Sequence, residues 1–393
     1  MITPMIRCLR PIKCNLPKHI LRKNSTFTQA VTNPANRTQI YISQSLNPYV
    51  NLSIETYFLL NTPVDSTILF LYSNRPSIIL GRNQNPWHEV NLGLLRSSLP
   101  ETLLVRRRSG GGTVFHDEGN VNYSVISPMS TFTRQKHADM IVRALRSLNV
   151  EKVSVNQRHD IVIEKFDKDE QSLLPFKISG TAFKLTKYRS LHHGTCLLSS
   201  PYIKVISRYL DPPIKPFLTA RGVNSVKSKI TNVWLSNEEF QKAVIEEFQS
   251  MYTKAEPIIL DENIRKIPEI VKDEIELKSH NWIYNQTPQF EFAIDNNSEC
   301  PFESGMSVGA YLSLPKKFNE RFLARNGRII SASPALGHLI NQELHSITDW
   351  RPKLSVNADT CSSEIQEKLG DFLNKLMSGD LNQLQNTFNR SPN

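Results

Sequence analysis

Apolar positions fall at helical spacing in three stretches of the chain and run unbroken or alternate in several others. "RQKHADMIVRALRSLNV" (134–150) sets Met140, Ile141, Leu145 and Leu148 on one face of a helix. "NEEFQKAVIEEFQSMY" (237–252) does the same with Phe240, Val244 and Phe248. "NLSIETYFLLN" (51–61) carries Leu52, Tyr57, Phe58 and Leu59 among polar residues and predicts a helix that Ser53 or Asn51 can cap. Strands are predicted at 67–72, 77–81, 102–107, the alternating and β-branched "NVNYSVIS" (120–127), 160–164, 175–179 and 194–200.

Beyond these, the charged run 261–280 reads as a connector or exposed helix. "WIYNQTPQFEF" (282–292), strand-like runs near 306–314 and 327–333, and a helical tail from about 362 follow. The pattern predicts a mixed α+β catalytic domain over 36–262 and a smaller α+β accessory domain with a helical tail over 263–393. No apolar run approaches the roughly 18–20 residues of a membrane span, so none is expected. The closing residues, rich in Asn, Gln and Ser, are expected to fray.

Charge changes this picture at one end only. The chain has 47 Lys and Arg against 37 Asp and Glu, a formal +10. Seven of the basic residues (Arg7, Arg10, Lys13, Lys18, Arg22, Lys23 and Arg37) precede Glu55, the first acid, which leaves 40 basic and 37 acidic residues afterwards, a balance of +3. A body so close to neutral argues against nucleic acid as a partner. The acid-free start resembles a mitochondrial transit peptide over 1–35, with cleavage around "RKNSTF" (22–27), and predicts a mitochondrial matrix protein. Cys196, Cys300 and Cys361, the cysteines beyond Cys8 and Cys14, form no CxxC pair, so neither a zinc knuckle nor a disulfide framework is indicated.

Candidate chemistry gathers in "VRRRSGGGTVFHDEGN" (105–120). Three consecutive glycines let backbone approach a ligand closely, and adjacent arginines suit an anion. The stretch lacks the Gly-Lys-Ser/Thr ending of a P-loop and does not spell GxGxxG, which removes both nucleotide-binding loops. Two further blocks accompany it: "GRNQNPWHEV" (81–90) and "FKISGTAFKLTKYRSLHHGTCLL" (176–198).

With these blocks the chain resembles the lipoate–protein ligase A family. The likeness lies in Gly81-Arg82-x-Gln84-Asn85-Pro86-Trp87, Arg106-Arg107-x-Ser109-Gly110-Gly111-Gly112 through His116-Asp117 and Gly119-Asn120, Lys177-x-Ser179-Gly180-x-Ala182, and His192-His193-Gly194-Thr195. It is specific over about 50–235 and weaker beyond, where "WIYNQTPQFEF" looks like the entry to that family's C-terminal domain. The resemblance implies a biotin/lipoate ligase-like fold with mixed β-sheets and flanking helices. It also implies a two-step reaction in which ATP, with Mg2+, converts lipoate or octanoate to acyl-AMP, and the target lysine of a lipoyl domain then displaces AMP.

By the same resemblance Lys177 is the catalytic residue, between the acyl carboxyl and the α-phosphate, and binds both ATP and lipoate. Arg107 faces ATP phosphate, and Gly112, Thr113, Val114 and Phe115 line the nucleotide. Arg82, Gly110, Gly111 and His193 bind lipoate. Ser109, His116, Asp160, Ser179 and Gly180 support the site, with Asp160 a carboxylate near the Mg2+ that ATP brings; no metal site is assigned to the protein itself. His116 reads equally as general base or structural histidine. His192 and His193, facing opposite sides of a strand, cannot readily chelate one metal together.

The protein partners implied are the lipoyl domains of 2-oxoacid dehydrogenase E2 subunits and the glycine cleavage H protein. A lipoyl- or octanoyltransferase using a pre-activated or protein-bound acyl donor is the alternative, and Cys196 would be its thioester residue, although its apolar setting favours a core cysteine. Where the family often shows Gly-Arg-Asn-Asp, this chain has "QRHDIVI" (157–163), with His159 in the asparagine position. Oligomeric state is not legible from the sequence.

Overall fold

The computed structural model describes residues 24–96, 101–354 and 363–377. In chain order its helices and strands begin with α1 (Asn24–Thr32), β1 (Thr38–Ser43), α2 (Pro48–Asn61), β2 (Thr67–Ser73), β3 (Ser77–Leu80), α3 (Pro86–Glu89), α4 (Leu92–Arg96), β4 (Leu103–Arg106), β5 (Val114–His116) and β6 (Asn120–Pro128). Next come α5 (Lys136–Ser147), β7 (Val153–Val155), β8 (Ile161–Asp167), β9 (Ser172–Ser179), β10 (Thr181–Leu185), β11 (Arg189–Leu197), α6 (Ile206–Tyr209), β12 (Leu218–Ala220), α7 (Asn237–Met251) and β13 (Pro257–Leu260). The last part holds α8 (Pro268–Lys278), α9 (His280–Ile283), β14 (Phe290–Asp295), α10 (Val308–Leu312), β15 (Asn319–Arg325), β16 (Arg328–Ala332) and α11 (Ser363–Met377).

A six-stranded mixed sheet, ordered β10-β11-β6-β2-β1-β13, forms the frame. β1 pairs parallel with both β2 and β13, while β2, β6, β11 and β10 pair antiparallel. Leu69 and Leu71 of β2 meet α5 and α7 on one face, and Ile68, Phe70 and Tyr72 meet α2 and Ile270 of α8 on the other. Burial on both faces explains why "TILFLY" is apolar without alternation. Two three-stranded sheets, β4-β3-β5 and β7-β8-β9, stand beside the frame and carry the glycine and lysine blocks, while His192 and His193 lie on β11 of the frame itself. The fourth sheet, β12-β14-β15-β16, is antiparallel and packs with α11 around Phe292, Phe322, Trp350 and Phe372.

Mixed sheets with flanking helices agree with the expected fold class, and several details correct the sequence reading. The cap of α2 is Asn47, whose Oδ1 accepts from Tyr49 N at 3.0 Å; Asn51 and Ser53 are buried inside the helix. Within 306–314 the chain forms α10, not a strand, because Ser307 caps it by accepting from Ala310 N (3.2 Å) and Ser313 ends it in the left-handed region at φ 56°. The run 261–280 is no mere connector or exposed helix. Within α8, Ile270 and Leu277 are buried, and buried Glu274 is held by Arg265 (2.9 Å) and Lys278 (2.6 Å). The strand expected at 194–200 starts earlier, at Arg189.

Two expected boundaries are crossed by packing. Phe27 and Val31 of α1 are buried against the α2 side of the sheet, with Phe27 against Tyr41, Tyr57 and Phe58, so the folded body takes in residues ahead of 36. β12 pairs with β14, and α8 packs on α2, so 262 is not a clean division either. The expected leader up to residue 23, Cys8, Cys14 and Cys361, and the closing 378–393 lie outside the described residues.

Candidate active site

β3 and β4 run parallel, so the loops leaving them start side by side: Arg107 N donates to Leu80 O (2.9 Å) and Arg82 N to Ser109 O (2.8 Å). Glycine is required where these loops touch. A Cβ on Gly81 would collide with the Gly111 carbonyl. Gly111 itself has φ +87°, which side chains rarely adopt, and its Cβ would lie 2.9 Å from Arg107 Nη2.

The three arginines serve the fold. Arg106 is fully buried and donates to Ile283 O (2.8 and 2.6 Å), Gln84 O (2.7 Å), Arg82 O (3.1 Å) and Thr287 Oγ1 (3.2 Å). Burial, with Arg82 adding like charge, pulls its pKa down to about 9. Arg107 donates from Nη2 to Gly110 O (2.6 Å) and Gly112 O (2.8 Å), from Nε to Ser109 Oγ (2.9 Å) and from Nη1 to Ile79 O (3.0 Å). Burial lowers its pKa to about 10, a shift that the charges of Glu55 and Tyr72 oppose. Arg108 pairs with Asp273 and, at 2.7 Å, Glu276 on α8. Arg107 therefore lines the site while fastening the glycine loop, its guanidinium bonded to Ile79, Gly110 and Gly112 carbonyls.

Arg82 departs further from expectation. Its Nη2 donates to Gln286 Oε1 (2.8 Å) and its guanidinium lies 4.6 Å from the Trp282 ring centroid, away from the cavities described below. Arg108 covers Trp282 at 4.3 Å, so the indole carries two cations, and its Nε1 donates to Arg106 O (2.7 Å).

Lys177 reaches the site through a bulge: Ile161 faces Ser179 while Val162 faces Lys177, so β9 carries an extra residue there. Ile178 then enters the core and Lys177 turns to the open side. Its Nζ lies 2.9 Å from Asp160 Oδ1, and a Cβ on Gly180 would come within 3.2 Å of that Nζ. The extended segment 221–230 passes alongside, with Lys177 N donating to Lys229 O (2.8 Å).

Two cavities meet at Lys177. The smaller, about 230 Å³, is lined by Arg107, Gly111, Gly112, Thr113, Val114, His116, Asp160, Lys177, Gly180 and His193 among the expected residues. The larger, about 580 Å³, adds Phe115 and Ser179 and shares Thr113, Val114, Lys177, Gly180, Ser225 and Val226 with the first. Ser109, Gly110 and Arg82 line neither. Buried Ser109 acts through His193, whose Nε2 lies 2.7 Å from its Oγ. His193 Nδ1 faces Glu55 at 3.0 Å, and that carboxylate also accepts from Tyr72 OH (3.0 Å) and Ser124 Oγ.

Burial lowers the pKa of His116 to about 3, which makes it a weak proton acceptor and favours the structural reading. His192 points to the other face of β11, against Phe183 and His137, and lines neither cavity. Cys196 is buried at 0% exposure, outside both cavities, and burial pushes its thiol pKa up, so no thioester route passes through it. Among the described residues no three His, Cys, Asp or Glu side chains form a metal cluster.

Some site residues escaped the sequence reading. Ser225 joins the segment 221–230 to the glycine loop, its Oγ accepting from Thr113 N (2.9 Å) and Gln84 Nε2 (3.1 Å), yet it sits in a stretch with no periodic signal. Arg158 lines the smaller cavity beside Asp160. Glu55 gave one clue, a single acid inside an apolar helical run.

Residues 47–251 match the family described as the lipoyl protein ligase A/B catalytic domain. The Schizosaccharomyces pombe protein provisionally named lipoate-protein ligase A is 37% identical over 299 residues, covering 67% of this chain and 78% of that one. Lipoate-protein ligase A of Bdellovibrio bacteriovorus is 32% identical over 266 residues, 66% of this chain and 75% of its own. Among solved structures, Plasmodium falciparum LipL1 in complex with lipoate superposes with TM-score 0.51 at 23% identity, covering 89% of this chain and 98% of that one, a likeness of fold. The bipartite lipoate protein ligase of Thermoplasma acidophilum has TM-score 0.51 at 20% identity, over 63% and 95%.

Proposed function

The chain belongs to the lipoate–protein ligase A family, enzymes that activate lipoate with ATP and pass the acyl group to a protein, and from that premise we propose how its two cavities divide the work. The smaller cavity holds the acyl chain, the larger holds the adenosine of ATP, and the carboxylate of the acid meets the α-phosphate at their junction. Lys177, the lysine shared by both linings, is the observation that carries this reading.

In the first step a carboxylate oxygen attacks the α-phosphorus, forming the acyl phosphate bond and releasing pyrophosphate. Negative charge builds on the α-phosphate oxygens, and Lys177 Nζ, steered by Asp160, is the cation beside them. Mg2+ brought with ATP would neutralise part of the phosphate charge, and Asp160 is the carboxylate of the smaller cavity that would hold it. In the second step the amine of the acceptor lysine attacks the acyl carbon, the amide forms and AMP leaves with the oxygen. The same Nζ faces the oxygen of the tetrahedral intermediate. Backbone from Thr113 to Phe115, which lines the larger cavity, fixes the nucleotide, and Arg107 fastens the glycine loop that leads into it.

The acceptors proposed are lipoyl domains of 2-oxoacid dehydrogenase E2 subunits and the glycine cleavage H protein. The lipoylation system of Thermoplasma acidophilum pairs its bipartite ligase with an E2 lipoyl domain, which supports the first group. We also place the protein in the mitochondrial matrix, on seven basic residues and no acid before Glu55, with leader removal ahead of the buried Phe27. Mass analysis of the mature N-terminus from isolated mitochondria tests that location.

The deciding experiment mixes purified protein, an apo lipoyl domain and free lipoate with and without MgATP, and reads the acceptor by intact mass. Acylation that requires ATP is expected. Transfer from synthetic lipoyl-AMP but never from free acid would reduce the enzyme to the second step.

A further inference from the structure

The two faces of the hairpin β8–β9 meet different surroundings. Ile161 and Ile163 turn to the core shared with α5 and α7. The alternate residues Val162, Glu164 and Phe166, with Lys177, Pro175 and Leu173 opposite them in register, make the other face. Beyond Val162 and Lys177 that face is bare: Glu164 and Pro175 are exposed, and so is the cross-strand apolar pair Phe166 (59%) and Leu173 (56%). A single exposed apolar residue is commonplace, whereas these two stand in line with the reacting lysine.

Leu173 is four residues from Lys177 along β9, about 13 Å, and Phe166 is its partner on β8. The segment 221–230 borders the same opening. It meets β9 in a parallel bridge between Lys177 and Ile230, so the residues just ahead of Ile230 lie towards Leu173, and Lys229 pairs with Asp167 at the end of β8. Val226 of this segment lines both cavities and is itself 56% exposed. The charges nearby are matched among themselves, Lys229 with Asp167 and Glu170 and Lys227 with Asp211. What remains on offer is apolar.

The second step decides what covers this face. A protein lysine must bring its amine to the acyl carbon beside Lys177, and its side chain spans only about 6 Å, so the domain that carries it lies against the opening. A specific contact of standard size covers about 800 Å² on each partner, a disc of about 16 Å radius, and one centred on Lys177 takes in Phe166 and Leu173. We infer that the bare face of β8–β9 is a docking surface for the acceptor lipoyl domain, with Phe166 and Leu173 meeting an apolar patch within about 16 Å of the acceptor's lysine. The inference rests on the reaction proposed at Lys177.

The test uses Phe166→Ser/Leu173→Ser, a double variant at exposed positions, with a thermal melt to show that it is folded. Lipoate-dependent ATP–pyrophosphate exchange and transfer from synthetic lipoyl-AMP to an apo lipoyl domain are measured beside wild type. KM for the domain is expected to rise roughly 10- to 30-fold, with exchange unchanged and kcat at saturating domain retained. An unchanged KM overturns the inference, and so does a loss of exchange equal to the loss of transfer, which marks damage to the site. A wild-type dimer that the variant breaks, with KM unmoved, gives the face to a second copy of this chain and overturns the docking assignment. Hydrogen exchange on wild type, with and without saturating apo domain, reads the same surface without any variant: slower exchange over 164–175 is expected, and an unaltered rate overturns the inference. Wild type that performs neither exchange nor transfer overturns the reaction at Lys177 instead, so the two failures are told apart.

Discussion

Replacing Arg107 by lysine separates two roles that the motif alone cannot distinguish. A phosphate-binding arginine and a loop-fastening arginine both look like a cation beside glycines. The guanidinium reaches Ile79 O on one side and Ser109 Oγ, Gly110 O and Gly112 O on the other. A lysine concentrates its donors on one atom and cannot span that arc, so at least two buried acceptors lose their partners. At about 1–3 kcal/mol for each unanswered group, two of them cost about 2–6 kcal/mol, or roughly 2–7 °C in melting temperature for a chain of this size. Differential scanning calorimetry of the unliganded protein measures it. Because the loop backs the reacting centre in both steps, ATP–pyrophosphate exchange and transfer from synthetic lipoyl-AMP should fall together. A variant that melts like wild type and loses only ATP affinity would refute the fastening role and restore the phosphate contact.

Lys177→Ala should lower both half-reactions by about 10²–10³-fold, the scale of one preorganised donor, and leave the melting temperature nearly unchanged because its pair with Asp160 is partly open to water; retained pyrophosphate exchange would sink the assignment. Gly111→Val should weaken lipoate binding and destabilise the protein, since φ +87° and the nearby Arg107 Nη2 admit no branched side chain, and isothermal titration with lipoate checks it. Cys196→Ala should keep most activity, show no trapped acyl-enzyme by mass spectrometry and cost about 1 kcal/mol in stability from the small cavity it leaves. Acid should destabilise the fold through His116 and His137, both lowered to about 3 by burial. Unfolding lets each bind a proton between that value and about 6.5, so stability falls as pH drops through that window, by up to about 1.4 kcal/mol per pH unit for each histidine. Urea midpoints from pH 7 to 5 should show the decline, and His137→Phe, if it folds, should flatten it.

The periodic parts of the fold were legible because each buries a face with a fixed period: α5, α7 and β6 fall where their apolar residues predict them. Residues 306–314 misled because "MSVGAYLSL" has strand composition, while the deciding term is one capping hydroxyl, Ser307, and a left-handed stop at Ser313. Glycine and lysine blocks announced the site because close backbone approach and a lone cation leave marks in composition. The duties of Arg82, Arg106 and Arg107 were illegible, since a guanidinium bound to carbonyls and one awaiting phosphate have the same letter. Ser225 was illegible for another reason: it reaches Thr113 from more than a hundred residues away, and no local pattern records that distance.

The grip of Arg106 and Trp282 on each other's segments sets an order of events during synthesis. Arg106 has no carbonyl for its Nε until Ile283 has left the ribosome, and β12 has no neighbour in its sheet until β14 follows. A nascent chain that already holds all three motif blocks still lacks the backing for its glycine loop. Maturation of the reacting centre is therefore a late event, and a chain interrupted ahead of residue 280 is held immature, with every motif present and the loops that unite them unsupported.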